Sequence, residues 1–150
     1  VLGDGPLEGK HLSQLVYVKY AIFEALRFMG PIAFISKHAK KPTKIAGKYA
    51  VEPSDQIQLN LKPFHHDPKI WGDDADQFNP ERFLNGGYEK LPPNAFKAFG
   101  DGERACIGRG FAEQEMIMVV ALILQKFQVE MADPSYDLSE FPTSLQGIKS

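Results

Sequence analysis

A chain of 150 residues, 43% of them apolar and 24% charged, has the size and composition of a single globular domain. Its formal net charge of -2 implies no polyanion or membrane-surface partner, so nucleic acid is not expected among its ligands. One cysteine excludes an internal disulfide and fits a reducing, cytoplasmic setting, and the longest apolar run, 116–124, falls well short of the roughly 20 residues that span a bilayer, so no transmembrane segment is expected.

No internal repeat or low-complexity tract divides the chain. Leu12, Leu15, Ile22, Phe23 and Leu26 recur at helical spacing and predict a first helix over 11–29, ended by Gly30-Pro31. From Ile32 to Leu61 the apolar residues come in short runs broken by Pro42, Gly47 and Pro53. Short strands and turns are expected there, with 56–61 alternating at period two. Residues 63–93 hold five prolines and five aromatics without a sustained period. They predict a long irregular segment, and such a loop inside a compact domain is usually functional or docked onto something. A glycine-rich turn follows at 99–108, then a second helix over about 108–126. Residues 127–131 alternate as a strand would.

Glu24 and Arg27, three apart on the first helix, share a face and can pair. As a solvated pair they would contribute a few tenths of a kcal/mol. Pro80-Glu81-Arg82-Phe83 is a second charge cluster that by itself reads as surface or turn. The turn F-G-D-G-E-R-A-C-I-G, from Phe99 to Gly108, carries more chemistry. A thiolate needs its charge stabilised, and N–H donors of a helix N-terminus and the preceding turn supply this. Gly100, Gly102 and Gly108 let the backbone turn tightly and approach a flat macrocycle. Arg104 is a rigid, permanent cation suited to a carboxylate. A buried, inert thiol is the usual fate of a lone cysteine. However, Phe99, Gly102, Arg104, Cys106 and Gly108 at these offsets should arise by chance in fewer than roughly one in ten thousand chains of ordinary composition. A zinc site from Cys106 with His38, His65 or His66 lacks closely spaced cysteine pairs. A Cys–His nucleophile and base leaves Arg104 and the glycines unexplained. No P-loop Lys-Ser/Thr accompanies the glycines either.

Phe99-x-x-Gly102-x-Arg104-x-Cys106-x-Gly108 resembles the haem-binding signature of the cytochrome P-450 superfamily, in which a cysteine thiolate holds the haem iron. Glu24-x-x-Arg27 resembles the K-helix pair of that family, and Pro80-Glu81-Arg82-Phe83 its meander motif. His65-His66-Asp67-Pro68, Trp71 and Phe78-Asn79-Pro80 match in the same order, so the likeness runs over nearly the whole chain. The chain is most similar to fatty-acid hydroxylases whose haem domain is fused to a diflavin NADPH reductase. Ala98, His66, Gly30 and Ser54 depart from the common pattern without removing a ligand.

The resemblance implies a mainly α fold with small β-sheets, made of K-helix, meander, cysteine-ligand loop and L-helix. Residues 1–150 would then form the C-terminal, incomplete part of a haem-thiolate monooxygenase domain, a view that the absence of a methionine at Val1 also suggests. It implies haem b with Cys106 as axial iron ligand and catalytic centre, its thiolate pushing electron density toward O–O cleavage. Arg104 would meet a propionate, and Phe99 would pack beside the sulfur and set the haem potential. Ile107, Gly108 and Ala112 would touch the proximal face, with Gly102 in the binding turn. Glu24, Arg27 and Arg82 would form a buried network, and Pro31, Ile32, Ala33, Phe34 and Ser144 would lie at the substrate pocket. The implied activity inserts one oxygen atom of O2 into an apolar substrate such as a fatty acid, near but not at its end. Electrons would come from NADPH through FAD and FMN of a fused or separate diflavin reductase. The family's oxygen-activating helix, with its acid–alcohol pair, is expected before Val1. The rival reading is a truncated, catalytically inactive product with weak or no haem binding. Bare haem and exposed helix faces favour that rival for these 150 residues in isolation.

Overall fold

The computed structural model describes residues 5–133 together with Gly3 and Ser135. The expected first helix is divided into a single turn, α1 (Gly9–Leu12), and a longer α2 (Val16–Met29). The division has a local cause. The Ser13 hydroxyl donates back to the Lys10 carbonyl at 3.2 Å, a side-chain bond that competes with continued helix. Leu15 then takes a non-helical conformation as the cap of α2. At the other end Gly30 is extended, as the residue before a proline prefers.

Strands β1 (Phe34–His38), β2 (Thr43–Ile45), β3 (Tyr49–Val51) and β4 (Gln56–Asn60) form two separate two-stranded antiparallel sheets, β1 with β4 and β2 with β3. In the outer pair Ile35 lies opposite Leu59 and Lys37 opposite Ile57. The alternation at 56–60 therefore gives a strand, but Leu61 already begins a helix.

The stretch expected to be irregular is a series of short capped turns. Asn60 caps α3 (Leu61–His65), its side-chain oxygen accepting the Lys62 N–H at 3.2 Å. Asp67 does the same for α4 (Pro68–Trp71), accepting from Lys69 N–H at 2.9 Å. Asn79 caps the 3-10 turn Pro80–Phe83, accepting from Glu81 N–H at 3.1 Å. Each cap satisfies an N–H that the short helix cannot. The segment docks onto α2 by its aromatics, as its composition foretold. Phe23 of α2 forms the core with Trp71, Ala75, Phe83 and Ala95. Phe23 meets Phe83 edge-on at 6.2 Å and Phe96 in a stack at 5.3 Å, arrangements that add to area burial.

Helix α5 (Arg109–Lys126) packs on α2 and buries Ile117 and Ala121. Phe111, Val119, Ile123 and Leu124 on its other faces stay exposed. Residues 127–131 are not a strand, contrary to their alternation: no described segment pairs with them, and Phe127 and Val129 are exposed. The architecture is helical with small antiparallel sheets, as the sequence led us to expect.

Candidate functional site

The loop carrying Cys106 is suspended from the core at one buried residue. The Lys97 N–H donates to His65 Nε2 at 3.1 Å, so that nitrogen must be unprotonated and the imidazole neutral. Burial first, then the charge of Arg27, then His66, push the His65 pKa down to about 4. The buried Lys97 amine donates to Asn94 Oδ1 at 2.7 Å and to the Asp101 carboxylate. That amine is the main reason the Asp101 pKa lies below its ordinary value.

Beyond Lys97 the backbone closes on itself. Gly100 N–H donates to Lys97 O at 2.9 Å, and Cys106 N–H donates to Phe99 O at 2.8 Å. Gly100 (φ 72°) and Gly102 (φ 64°) are left-handed, a conformation that strains any residue bearing a Cβ. The loop thus presents the Cys106 thiol exposed, three residues before α5.

The thiol opens onto a cavity of about 500 Å³. Leu26 of α2, Pro31 and Ile32 of the connection, Ile35 and Lys37 of β1, and Leu59 of β4 form one side. Residues of the cysteine loop, among them Ala98, Phe99 and Arg104, form the other. Arg104 is exposed and makes no side-chain hydrogen bond or ion pair among the described residues.

The residues expected at the site fall into three groups. Cys106, Phe99, Arg104, Pro31 and Ile32 line the cavity. Gly102 opens a 3-10 turn inside the loop, and Gly108 caps α5 so closely that a Cβ there would sit 3.9 Å from Cys106 Sγ. Ala112 is half-buried on α5, and Ile107 is fully exposed; neither lines the cavity. Ala33 and Phe34 do not line it either. The Ala33 carbonyl accepts the Leu61 N–H at 2.9 Å, and strand alternation turns Phe34 away from the face that bears Ile35 and Lys37. Ser144 lies outside the described residues. Leu59 and Lys37 were not singled out from the sequence. The period-two pattern of 56–60 carried the signal for Leu59, but its pairing opposite Ile35 emerges only in the fold.

Glu24, Arg27 and Arg82 meet in one network. Glu24 and Arg27 are 0% and 1% exposed. Arg27 grips the Glu24 carboxylate with Nε and Nη2 at 2.7 and 2.8 Å, and Arg82 Nε reaches it at 3.0 Å. The Asn79 N–H adds a fourth bond at 2.9 Å. Arg27 also donates to the carbonyls of His65, Ala75 and Gln77 at 2.5, 2.8 and 3.0 Å. Arg82 donates to the carbonyls of Trp71 and Asp74, each at 2.9 Å, and to Asp74 Oδ1 at 3.1 Å. The Asn79 amide and Arg82 hold the Asp74 carboxyl below its usual range. Among the described residues no buried side-chain polar atom lacks a partner. The network joins α2 to the capped turns, and through His65 to the cysteine loop.

No cluster of three or more His, Cys, Asp or Glu side chains that could hold a metal ion exists among the described residues. Cys106 therefore offers one protein ligand, next to a largely apolar cavity and a free cation. That donor set fits a metal whose remaining ligands arrive in an organic macrocycle with acidic side groups.

Comparison with known proteins agrees. The cytochrome P450 family matches residues 1–149. A self-sufficient cytochrome P450 monooxygenase of Oidiodendron maius is 41% identical over 138 residues, which is 92% of this chain and 13% of that protein. Another, of Exserohilum turcicum, is 43% identical over 138 residues with the same coverage. A bifunctional cytochrome P450/NADPH–P450 reductase of Acremonium egyptiacum is 39% identical over 145 residues, 92% of this chain and 14% of that protein. The chain thus spans 13–14% of the length of these relatives. The family match includes the Cys106 loop, the cavity wall and the Glu24–Arg27–Arg82 network, and the chain belongs to the cytochrome P450 family.

Proposed function

We propose that this chain is the cysteine-ligand end of the haem domain of a monooxygenase that inserts one oxygen atom of O2 into an apolar substrate, with a fatty acid as the favoured class. The observation that supports it most is the exposed Cys106 thiol on the apolar cavity, with Arg104, which has no ion-pair partner among the described residues, lining the same cavity. Haem b, when bound, supplies the oxygen-activating iron chemistry. The protein's part is to hold and insulate it. Cys106 would hold the iron through its thiolate, and the loop's internal bonds fix the backbone that carries the sulfur. Phe99, which lines the same cavity as the thiol, would help keep water from the sulfur once the group is bound, and such shielding tunes a metal's potential. Arg104 would hold an acidic side group of the macrocycle by charge-assisted hydrogen bonds. Leu26, Pro31, Ile32, Ile35 and Leu59 make the opposing wall hydrocarbon-like, as an apolar substrate requires.

The self-sufficient relative and the one fused to an NADPH–P450 reductase support electron supply from NADPH through a reductase, fused or separate; FAD and FMN as its carriers rest on the family resemblance. No described helix is long and apolar enough to cross a membrane. The 150 residues by themselves are expected to be inactive, with α5 exposing Phe111, Ile123 and Leu124.

The test is product analysis with the complete protein, NADPH and a saturated fatty acid. Hydroxylated acid is expected from the wild type and none from Cys106→Ala. Equal product from both would end the proposal.

A further inference from the structure

We infer that Arg109 is a positioning residue for the cysteine ligand, holding a fixed positive charge against Phe99 and so setting the electrostatic field at the Cys106 sulfur. The inference rests on the haem-thiolate reading above.

Arg109 stands where a helix does not want it. It is the first residue of α5, and a cation there opposes the helix dipole. Two side-chain bonds nevertheless fix it. Its Nε donates to Glu113 Oε1 at 2.6 Å, and its Nη2 donates to Tyr88 Oη at 3.1 Å. Glu113 is one turn further along α5, whereas Tyr88 belongs to the aromatic group packed around Phe23. The guanidinium is thus tied both to its own helix and to the core.

So held, the guanidinium carbon lies 5.3 Å from the centre of the Phe99 ring, within the range of a cation–π contact. Phe99 shares the cavity wall with Cys106, and its carbonyl accepts the Cys106 N–H at 2.8 Å. The Arg109 N–H in turn donates to the Cys106 carbonyl at 3.3 Å. The charge therefore sits against a ring that lines the same cavity as the sulfur, one turn of backbone from the sulfur's own residue. Lys97, the other cation bonded within the loop, is neutralised by Asp101. A locally unfavourable residue kept in place by bonds from two elements points to a role at a site and not to helix stability.

The physical consequence has a sign. A nearby cation favours the reduced, more negative form of a thiolate-ligated metal and raises its reduction potential. Glu113, half of the ion pair, moderates that field. Removing either partner should therefore move the potential in opposite directions, which simple loosening of the helix start would not do.

The experiment measures the midpoint potential of the haem in the complete protein for wild type, Arg109→Gln, Arg109→Lys and Glu113→Gln, alongside each reduced, CO-bound spectrum. Arg109→Gln should lower the one-electron reduction equilibrium at least twofold, about 18 mV at 59 mV per tenfold. Glu113→Gln should raise it, and Arg109→Lys should recover at least half of the loss while all variants keep the thiolate-type band. An unmoved potential in Arg109→Gln, or shifts of the same sign in Arg109→Gln and Glu113→Gln, overturns the inference while the wild-type band keeps the haem-thiolate reading. A wild type without that band overturns both.

Discussion

His65 is held neutral by its position: its Nε2 must accept the Lys97 N–H, while Arg27, bonded to its carbonyl, repels a second proton. This has a pH consequence. The folded pKa of about 4 lies below the value of an exposed histidine, about 6.5. Between these values the unfolded chain binds more protons than the folded one. Stability from His65 is therefore complete above about pH 6.5 and is lost progressively as pH falls toward 4, by on the order of 2–3 kcal/mol. Thermal unfolding of the complete protein in a pH series should show that fall. His65→Asn, whose amide oxygen can still accept the Lys97 N–H, should flatten it; an equally steep fall in the variant would assign the titration elsewhere. Little of this was legible in the sequence. His65 could be placed in a His-His-Asp-Pro motif, but its acceptor role depends on a backbone N–H 32 residues away.

At the level of elements, a short buried network carries a long stretch of chain. The four bonds to Glu24 and the carbonyls held by Arg27 and Arg82 fix α3, α4 and the 3-10 turn on α2 with only a few buried apolar residues. Removing one partner of such a network strands the others in low dielectric and costs about 3–5 kcal/mol. Glu24→Ala and Arg82→Ala in the complete protein should therefore each abolish haem incorporation, measured as the haem-to-protein ratio after purification. A normal ratio in either would contradict that. Helical spacing showed that Glu24 and Arg27 could pair. It could not show that they are buried, since Arg82 lies 58 positions from Glu24. The tight packing of this region also depends on Gly87, where a Cβ would fall 2.0 Å from the Arg82 carbonyl oxygen. The element limits that differ from their patterns have local reasons: the Ser13 back-bond cut the first helix, and 127–131 alternate without a described strand to pair with.

Over the whole molecule, the site is an assembly of three parts distant in sequence: the end of α2, the β1–β4 face and the cysteine loop. The loop was legible because its chemistry is contiguous, with Phe99, Arg104 and Cys106 inside ten residues. The wall was legible only at Pro31 and Ile32, because Ile35 and Leu59 become neighbours only through strand pairing. The apolar face of α5 is exposed, which calls for measurement on the whole protein. The most direct one is the absorption spectrum of its reduced, CO-bound form, for wild type and Cys106→Ser. A thiolate-type band in the wild type that disappears in the variant is the predicted result. A wild type without the band, or a variant that retains it, would contradict the assignment of Cys106 as the haem ligand.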